Sequence, residues 1–290
     1  MNRFGMVADS SNDLEIEYLK KHDIKNVSFY VRLGDDNYLK DEVDITRREL
    51  YDYLAENPEV FPKTSLPSVE DFIFAIRENL EKGKDVICFT VSSTLSGSFQ
   101  SAKVAVELLK EEYPDRRIYL VDAQSASLGV GLLIKRAVTL REENIDIDEV
   151  YKKVLEISDK TEINILLDTL SYLEQGGRIS RTGAFAGKLL KIKPIASFKN
   201  NTLNLEKAVR GTKKALQVSL ELLHNTIHDK LDLYDIFVIH GDNEKLANQA
   251  KEEIETKYNM KLAEDITLVS SAVISHIGPG AIGIGCIRKL

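Results

Sequence analysis

Through the first half of the chain, short runs rich in β-branched and aromatic residues alternate with segments whose apolar positions recur every three or four residues. The runs at 3 to 8 (RFGMVA), 27 to 33 (VSFYVRL), 85 to 91 (DVICFTV) and 117 to 122 (RIYLVD) read as strands. The segments 13 to 22, 46 to 56, 68 to 82, 98 to 112 and 126 to 142 read as helices. The helix from 68 shows its mechanism. Ser68 is placed to cap it, Asp71 follows three residues on, and Phe72, Ile76 and Leu80 repeat every four positions as one apolar face. Such alternation builds βαβ units on a parallel sheet.

Near residue 160 the pattern changes. A helix at 147 to 158 gives way to EINILLD, a Gly176-Gly177 turn and a hairpin signal at Asn200-Asn201. Then come a helix from about 211, a strand at 235 to 241, a helix at 243 to 257, and strands at 265 to 274 and 281 to 288. The expected fold class is α/β. Two α/β domains, 1–160 with a mostly parallel sheet and 161–290 with a mixed sheet, would hold a ligand between them.

Composition narrows the function. With 290 residues, 43% hydrophobic and 29% charged, the chain is neither disordered nor membrane-embedded by composition. Its net charge of -7 gives a general field that repels a phosphate backbone, so nucleic acid is not an expected partner. Cys88 and Cys286 have no Cys or His at metal-ligand spacing and read as free buried thiols. The start, MNRFGMVADSSNDL, reaches polar residues before a signal-like stretch develops, and no run approaches a membrane span. A cytoplasmic protein is expected, with transient membrane contact left open.

The chemistry lies in hydroxyls. Residues 90 to 102, TVSSTLSGSFQSA, carry five serines and two threonines between a strand and a helix. In open parallel sheets that edge gathers ligands, and a helix start with neutral hydroxyl donors suits a carboxylate or phosphate. Ser92, Ser93 and Ser96 would equally serve as caps and turn residues. A second cluster, KTSLPSVEDF at 63 to 72, sets Thr64, Ser65 and Ser68 around Pro67 at another helix entry. A third element is SHIGPGAIG at 275 to 283, where His276 adjoins a Gly-Pro-Gly corner that lets a ligand approach the backbone.

Other patterns carry less. Gly278, Gly280 and Gly283 match G-x-G-x-x-G, but Pro279 interrupts it and too few residues follow for the required helix and strand. The acidic positions Asp35, Asp36, Asp41, Glu42 and Asp44 read as a solvated hairpin and loop rather than a metal site. No metal and no cofactor are expected. Leu128, Val130, Leu132, Phe185, Leu189 and Ile192 are candidate walls of an apolar tunnel, with core packing the favoured reading for any one of them.

Several motifs in one order resemble the DegV family of fatty-acid-binding proteins over nearly the whole chain. They are ADSSNDL, KTSLPSVEDF, SSTLSGSFQSA, VDAQSASLGVG, YLEQGGRIS, VRGTKKAL and SHIGPGAIG. Ser275 stands where the family often has Thr, and Ser98-Phe99 where it often has Thr-Tyr. The resemblance implies a non-enzymatic carrier with one long-chain fatty acid buried between two domains. Thr64 and Ser96 would hold the carboxylate, and Ser93, Ser65 and His276 would complete the site. It further implies that a separate ATP-dependent kinase phosphorylates the bound acid to an acyl phosphate for phospholipid synthesis, with Arg178 and Arg210 on the rim where the kinase docks or phosphate charge develops; a surface ion pair is the other reading of these arginines. Two rival readings stand beside the carrier. One is a serine hydrolase or acyltransferase using Ser93 or Ser96 with His276 as base; the other is a binder of a small polar anion.

Overall fold

The computed structural model describes residues 4–34, 37–179 and 192–290. Its first half contains β1 (Gly5–Asp9), α1 (Ile16–Lys21), β2 (Ile24–Val27), β3 (Tyr30–Arg32), β4 (Leu39–Lys40), α2 (Arg47–Glu56) and β5 (Lys63–Ser65). There follow α3 (Val69–Glu81), β6 (Val86–Thr90), α4 (Ser98–Glu112), β7 (Ile118–Asp122), α5 (Leu128–Glu142) and α6 (Ile147–Ser158). Four strands form a wholly parallel sheet in the order β2-β1-β6-β7. β1 and β6 are buried at every position, which is why they read as unbroken apolar runs. Helices α3 and α4 pack on one face through Phe72, Ile76 and Leu109, while Met6, Ile87 and Phe89 meet α5 on the other. The chain leaves β1 outward to β2 and returns on β1's other side. The loops after β1 and β6 therefore diverge and open a crevice at the carboxyl ends of the strands.

Two readings of the first half differ from the sequence expectation. The run 27 to 33 is not one strand. Only its start joins the parallel sheet; Ser28 Oγ donates to Asp41 O and the Phe29 N–H to Ser10 Oγ, turning the chain out into a small antiparallel sheet ordered β4-β3-β5. The acidic run is not all solvated either. Asp35 and Asp36 lie outside the described residues, but Asp41 is fully buried and accepts from Ser10 Oγ. The capping box expected at Ser68 is present with Asp71.

The second half contains β8 (Thr161–Leu166), α7 (Ser171–Gln175), β9 (Ile192–Lys199), β10 (Thr202–Arg210), α8 (Thr212–Ile227) and β11 (Tyr234–His240). It ends with α9 (Glu244–Lys257), β12 (Thr267–Leu268), α10 (Ser271–Ile277) and β13 (Ile282–Arg288). Its sheet, ordered β10-β9-β8-β13-β11-β12, is antiparallel except for the β11–β12 pair. The expected parallel and mixed sheets are thus both present, the first built wholly before residue 160 and the second wholly after it.

The expected strand at 265 to 274 is strand only at Thr267–Leu268, and its last four residues begin a helix. After the two residues of β12, Ser271–Ile277 coil because that periodicity buries Ala272, Ile274 and Ile277 together. Tertiary burial there overrides the β preference of Val273 and Ile274. α8 and α9 cover one face of the mixed sheet. The other face shares one continuous core with α5, α6 and the parallel sheet. α5 lies between the halves and is buried nearly all round, so Leu128, Val130 and Leu132 are core residues. Phe185 and Leu189 lie outside the described residues. Among those described, no helix is long and apolar enough to cross a membrane.

Candidate functional site

The crevice between the sheets holds a cavity with about 750 Å3 of atom-free space, part of it open to solvent. Ile163 and Ile165 of β8, Phe198 of β9, Leu203 of β10 and Ile239 of β11 line it from the mixed sheet. From the parallel half come Ser11, Val91, Leu95 and Ser96, the loops at the carboxyl ends of β1 and β6. Arg178, and Val273 and His276 of α10, complete the wall. Polar side chains gather at few points in an otherwise apolar surface.

The hydroxyls of the loop after β6 divide their tasks. Ser92 Oγ donates to Asn201 Oδ1 (2.5 Å) and Thr94 Oγ1 to Asn201 O (2.9 Å), tying the loop to the tip of the β9–β10 hairpin. Ser93 Oγ donates to Asp122 Oδ2 (2.5 Å). Ser98 Oγ donates to Asp9 Oδ2 (2.7 Å). Ser96 is left at the cavity, and its Oγ accepts from the Ser98 N–H (3.2 Å). Most of this serine-rich stretch is tethering, and one hydroxyl faces the cavity.

A buried carboxylate holds that loop to β1. Asp9 Oδ1 accepts from the Ser11 N–H and Oγ–H, and Oδ2 from the Val91 N–H (2.9 Å) and Ser98. Burial raises its pKa, and the hydrogen bonds from Ser11, Ser98 and Val91 oppose the rise. Two backbone N–H groups and two hydroxyls converge on its two oxygens. Asp13 plays the same part for α10, accepting from Ser127 Oγ and from the Ser270 N–H (2.8 Å).

Thr64, on β5, reaches the site through His276: its Oγ1 lies 2.8 Å from His276 Nε2. The imidazole fits because residue 176 is glycine, where a Cβ would stand 2.4 Å from Nδ1. Nδ1 itself has no hydrogen-bond partner among the described residues. Burial first, and the nearby Arg178 charge second, push the His276 pKa down to about 3, so the ring is neutral. Arg178 is half-buried, donates to Leu95 O (3.2 Å) and Gly176 O (2.5 Å), and has no carboxylate partner among the described residues.

The residues named from sequence fall into two groups. Ser96, His276 and Arg178 line the cavity, with Thr64 bonded to His276. Ser65 points away on the exposed side of β5, because successive strand residues face opposite sides. Ser93 is also turned outward, onto Asp122; the expectation that these two serines complete the head of the site does not fit their geometry. Arg210 ends β10, exposed and without an ion-pair partner among the described residues. A hydrolase needs a carboxylate behind its histidine, and no described carboxylate bonds to His276. Cys88 and Cys286 are free and buried; burial pushes both thiols up, Cys286 to about 12. Among the described residues no three His, Cys, Asp or Glu groups converge as metal ligands. The lining residues Ser11, Phe198, Leu203 and Ile239 were not singled out from sequence, since alternation marks a strand's inward face without telling whether a neighbour or a void lies against it.

A family model described as an uncharacterised protein of the DegV family matches residues 3–289. A DegV domain-containing protein of Clostridium acetobutylicum is 33% identical over 293 residues, covering 100% of both chains. Among solved structures, a stearic acid-binding protein of Eubacterium ventriosum superposes with a TM-score of 0.92 at 32% identity, covering 99% of this chain and 98% of that one. A DegV family protein of Thermus thermophilus, described by its fatty acid binding, superposes with a TM-score of 0.86 at 30% identity, covering 99% and 100%.

Proposed function

The chain belongs to the DegV family, and from that membership we propose that it carries a single long-chain fatty acid in the cavity between its sheets. The observation that carries the reading is the cavity's composition: a mainly apolar enclosure whose polar lining residues are Ser11, Ser96, Ser127, Arg178 and His276, the last bonded to Thr64. An alkyl chain lies against Ile163, Ile165, Phe198 and Ile239, and its carboxylate meets the hydroxyls. A carboxylate only accepts hydrogen bonds, so Thr64 serves it by donating its own proton while His276 Nε2–H donates to Thr64 Oγ1.

Magnitudes separate the roles of tail and head. Each buried methylene is worth about 0.8 kcal/mol, so a sixteen-carbon chain gains on the order of 12 kcal/mol before ordering and association costs. A hydrogen bond to a charged group contributes only about 1.5–3 kcal/mol, enough to orient the acid but not to retain it. The hydroxyls therefore fix where the head sits. Neutral donors also leave the carboxylate free of a tight ion pair that would hold it against reaction.

In the finer reading the protein is a carrier rather than an enzyme. It presents the carboxylate to a separate ATP-dependent kinase, an oxygen of the acid takes the terminal phosphoryl group as ADP leaves, and the acyl phosphate feeds phospholipid synthesis. Arg178 at the cavity and exposed Arg210 form the rim facing that partner.

Native mass spectrometry of the freshly purified protein tests the carrier. One non-covalent long-chain fatty acid, lost on denaturation, is the expected result. A bare chain that also fails to take up palmitate overturns the reading. A covalent acyl increment that survives denaturation replaces it with the acyltransferase.

A further inference from the structure

The cavity's floor has a gap in its side chains. β13 lies between β8 and β11 in the mixed sheet, yet contributes no residue to the lining. Gly283 pairs with Ile165 on one side and Ile239 on the other, and both of these line the cavity. Residues paired directly across a sheet share a face, so Gly283 is the floor position between them. Its neighbours Ile282 and Ile284 turn the other way, into the core against α8 and α9.

The backbone does not demand glycine there. Gly278 and Gly280, just before the strand, have positive φ, but Gly283 does not, and glycine inside a strand weakens it. Space is the remaining reason. A Cβ at 283 would stand 2.4 Å from Ile239 Cγ1, 2.6 Å from Ile239 Cδ1 and 3.5 Å from Ile163 Cγ2. The Ile239 side chain thus lies flat across the bare β13 backbone, and the cavity begins above it.

We propose that Gly283 sets the depth of the cavity floor, and with it the longest alkyl chain the protein accepts, by letting Ile239 lie down against β13. The inference rests on the fatty-acid reading above and assigns its size limit. With alanine at 283, Ile239 must lift into the space the chain occupies.

The test uses the full chain as wild type, Gly283→Ala, Ile239→Ala and the double variant. Saturated acids of increasing length displace a fluorescent fatty acid, and thermal melts check folding. Gly283→Ala should lose affinity for the longest acids by about fourfold for each methylene that no longer fits, while keeping the shorter ones. Ile239→Ala alone should extend the limit to longer acids, and in the double variant it should restore them. A Gly283→Ala profile parallel to wild type overturns the proposal, as does an Ile239→Ala profile unchanged in length preference, which also decides the matter if Gly283→Ala does not fold. A wild-type protein from which no acid displaces the probe overturns the carrier reading itself.

Discussion

Thr64 Oγ1 and His276 Nε2 stand 2.8 Å apart across 212 residues of sequence, joining the small antiparallel sheet of the first half to the last helix of the second. The bond places a threonine from β5 on a neutral imidazole whose other nitrogen is buried and has no hydrogen-bond partner among the described residues.

The head of the acid is predicted to depend on this pair and on Ser96. Thr64→Ala or Ser96→Ala should weaken fatty-acid binding about tenfold or more, from the worth of a charge-assisted hydrogen bond. Ser93→Ala should leave affinity near wild type, since its hydroxyl is committed to Asp122. Displacement of a fluorescent fatty acid measures all three. Wild-type affinity in both Thr64→Ala and Ser96→Ala rules out the head-group assignment.

Stability should carry two opposed acid-side contributions. His276 titrates near 3 in the folded chain, against about 6.5 unfolded. Between those values the unfolded state binds more protons, so this group removes up to about 1.4 kcal/mol per unit as pH falls. Asp41 has the opposite sign. Burial raises it to about 6, so between there and its unfolded value near 3.9 the folded state binds the extra proton and falling pH favours it. Urea titrations from pH 7 to 4 should show a shallower acid loss in His276→Gln and a steeper one in Asp41→Asn. Slopes identical to wild type in both would refute the assignments.

Asp9 should act on binding through the loop it holds. In Asp9→Asn an amide faces donors from Val91, Ser11 or Ser98 that the carboxylate satisfied. Each buried donor left unpaired costs about 1–3 kcal/mol. A lower melting temperature is expected, together with weaker binding of palmitate than of its methyl ester relative to wild type. Equal losses for acid and ester would make Asp9 a purely structural residue.

Arg210 should matter only when a kinase is present. Arg210→Glu is expected to abolish kinase-dependent turnover while the lipid content of the purified protein stays the same. Turnover that persists removes the docking role.

Much of the architecture was legible in the chain. The β/α alternation before residue 160 marks a parallel sheet because each buried strand leaves an unbroken apolar run and each covering helix a stripe. Ser68 with Asp71 announced a helix start, and Asn200-Asn201 a hairpin whose two residues indeed have positive φ. These are local signals, written within a few residues. Ser271–Ile277 were not legible as helix, because β-branched residues prefer strands and only burial against both halves reverses that preference.

The hydroxyl-rich loops and the glycine corner were evident as short motifs, since their chemistry depends on residue type. Which hydroxyl faces the cavity was not. Asp9, Asp122 and Asn201 engage Ser98, Ser93 and Ser92 across separations of 89, 29 and 109 residues, leaving Ser96 at the cavity. The same holds for the void itself. An inward isoleucine is equally apolar whether it touches a neighbour or an empty space, so Ile163 and Ile239 became a floor only when two sheets met without filling the gap between them.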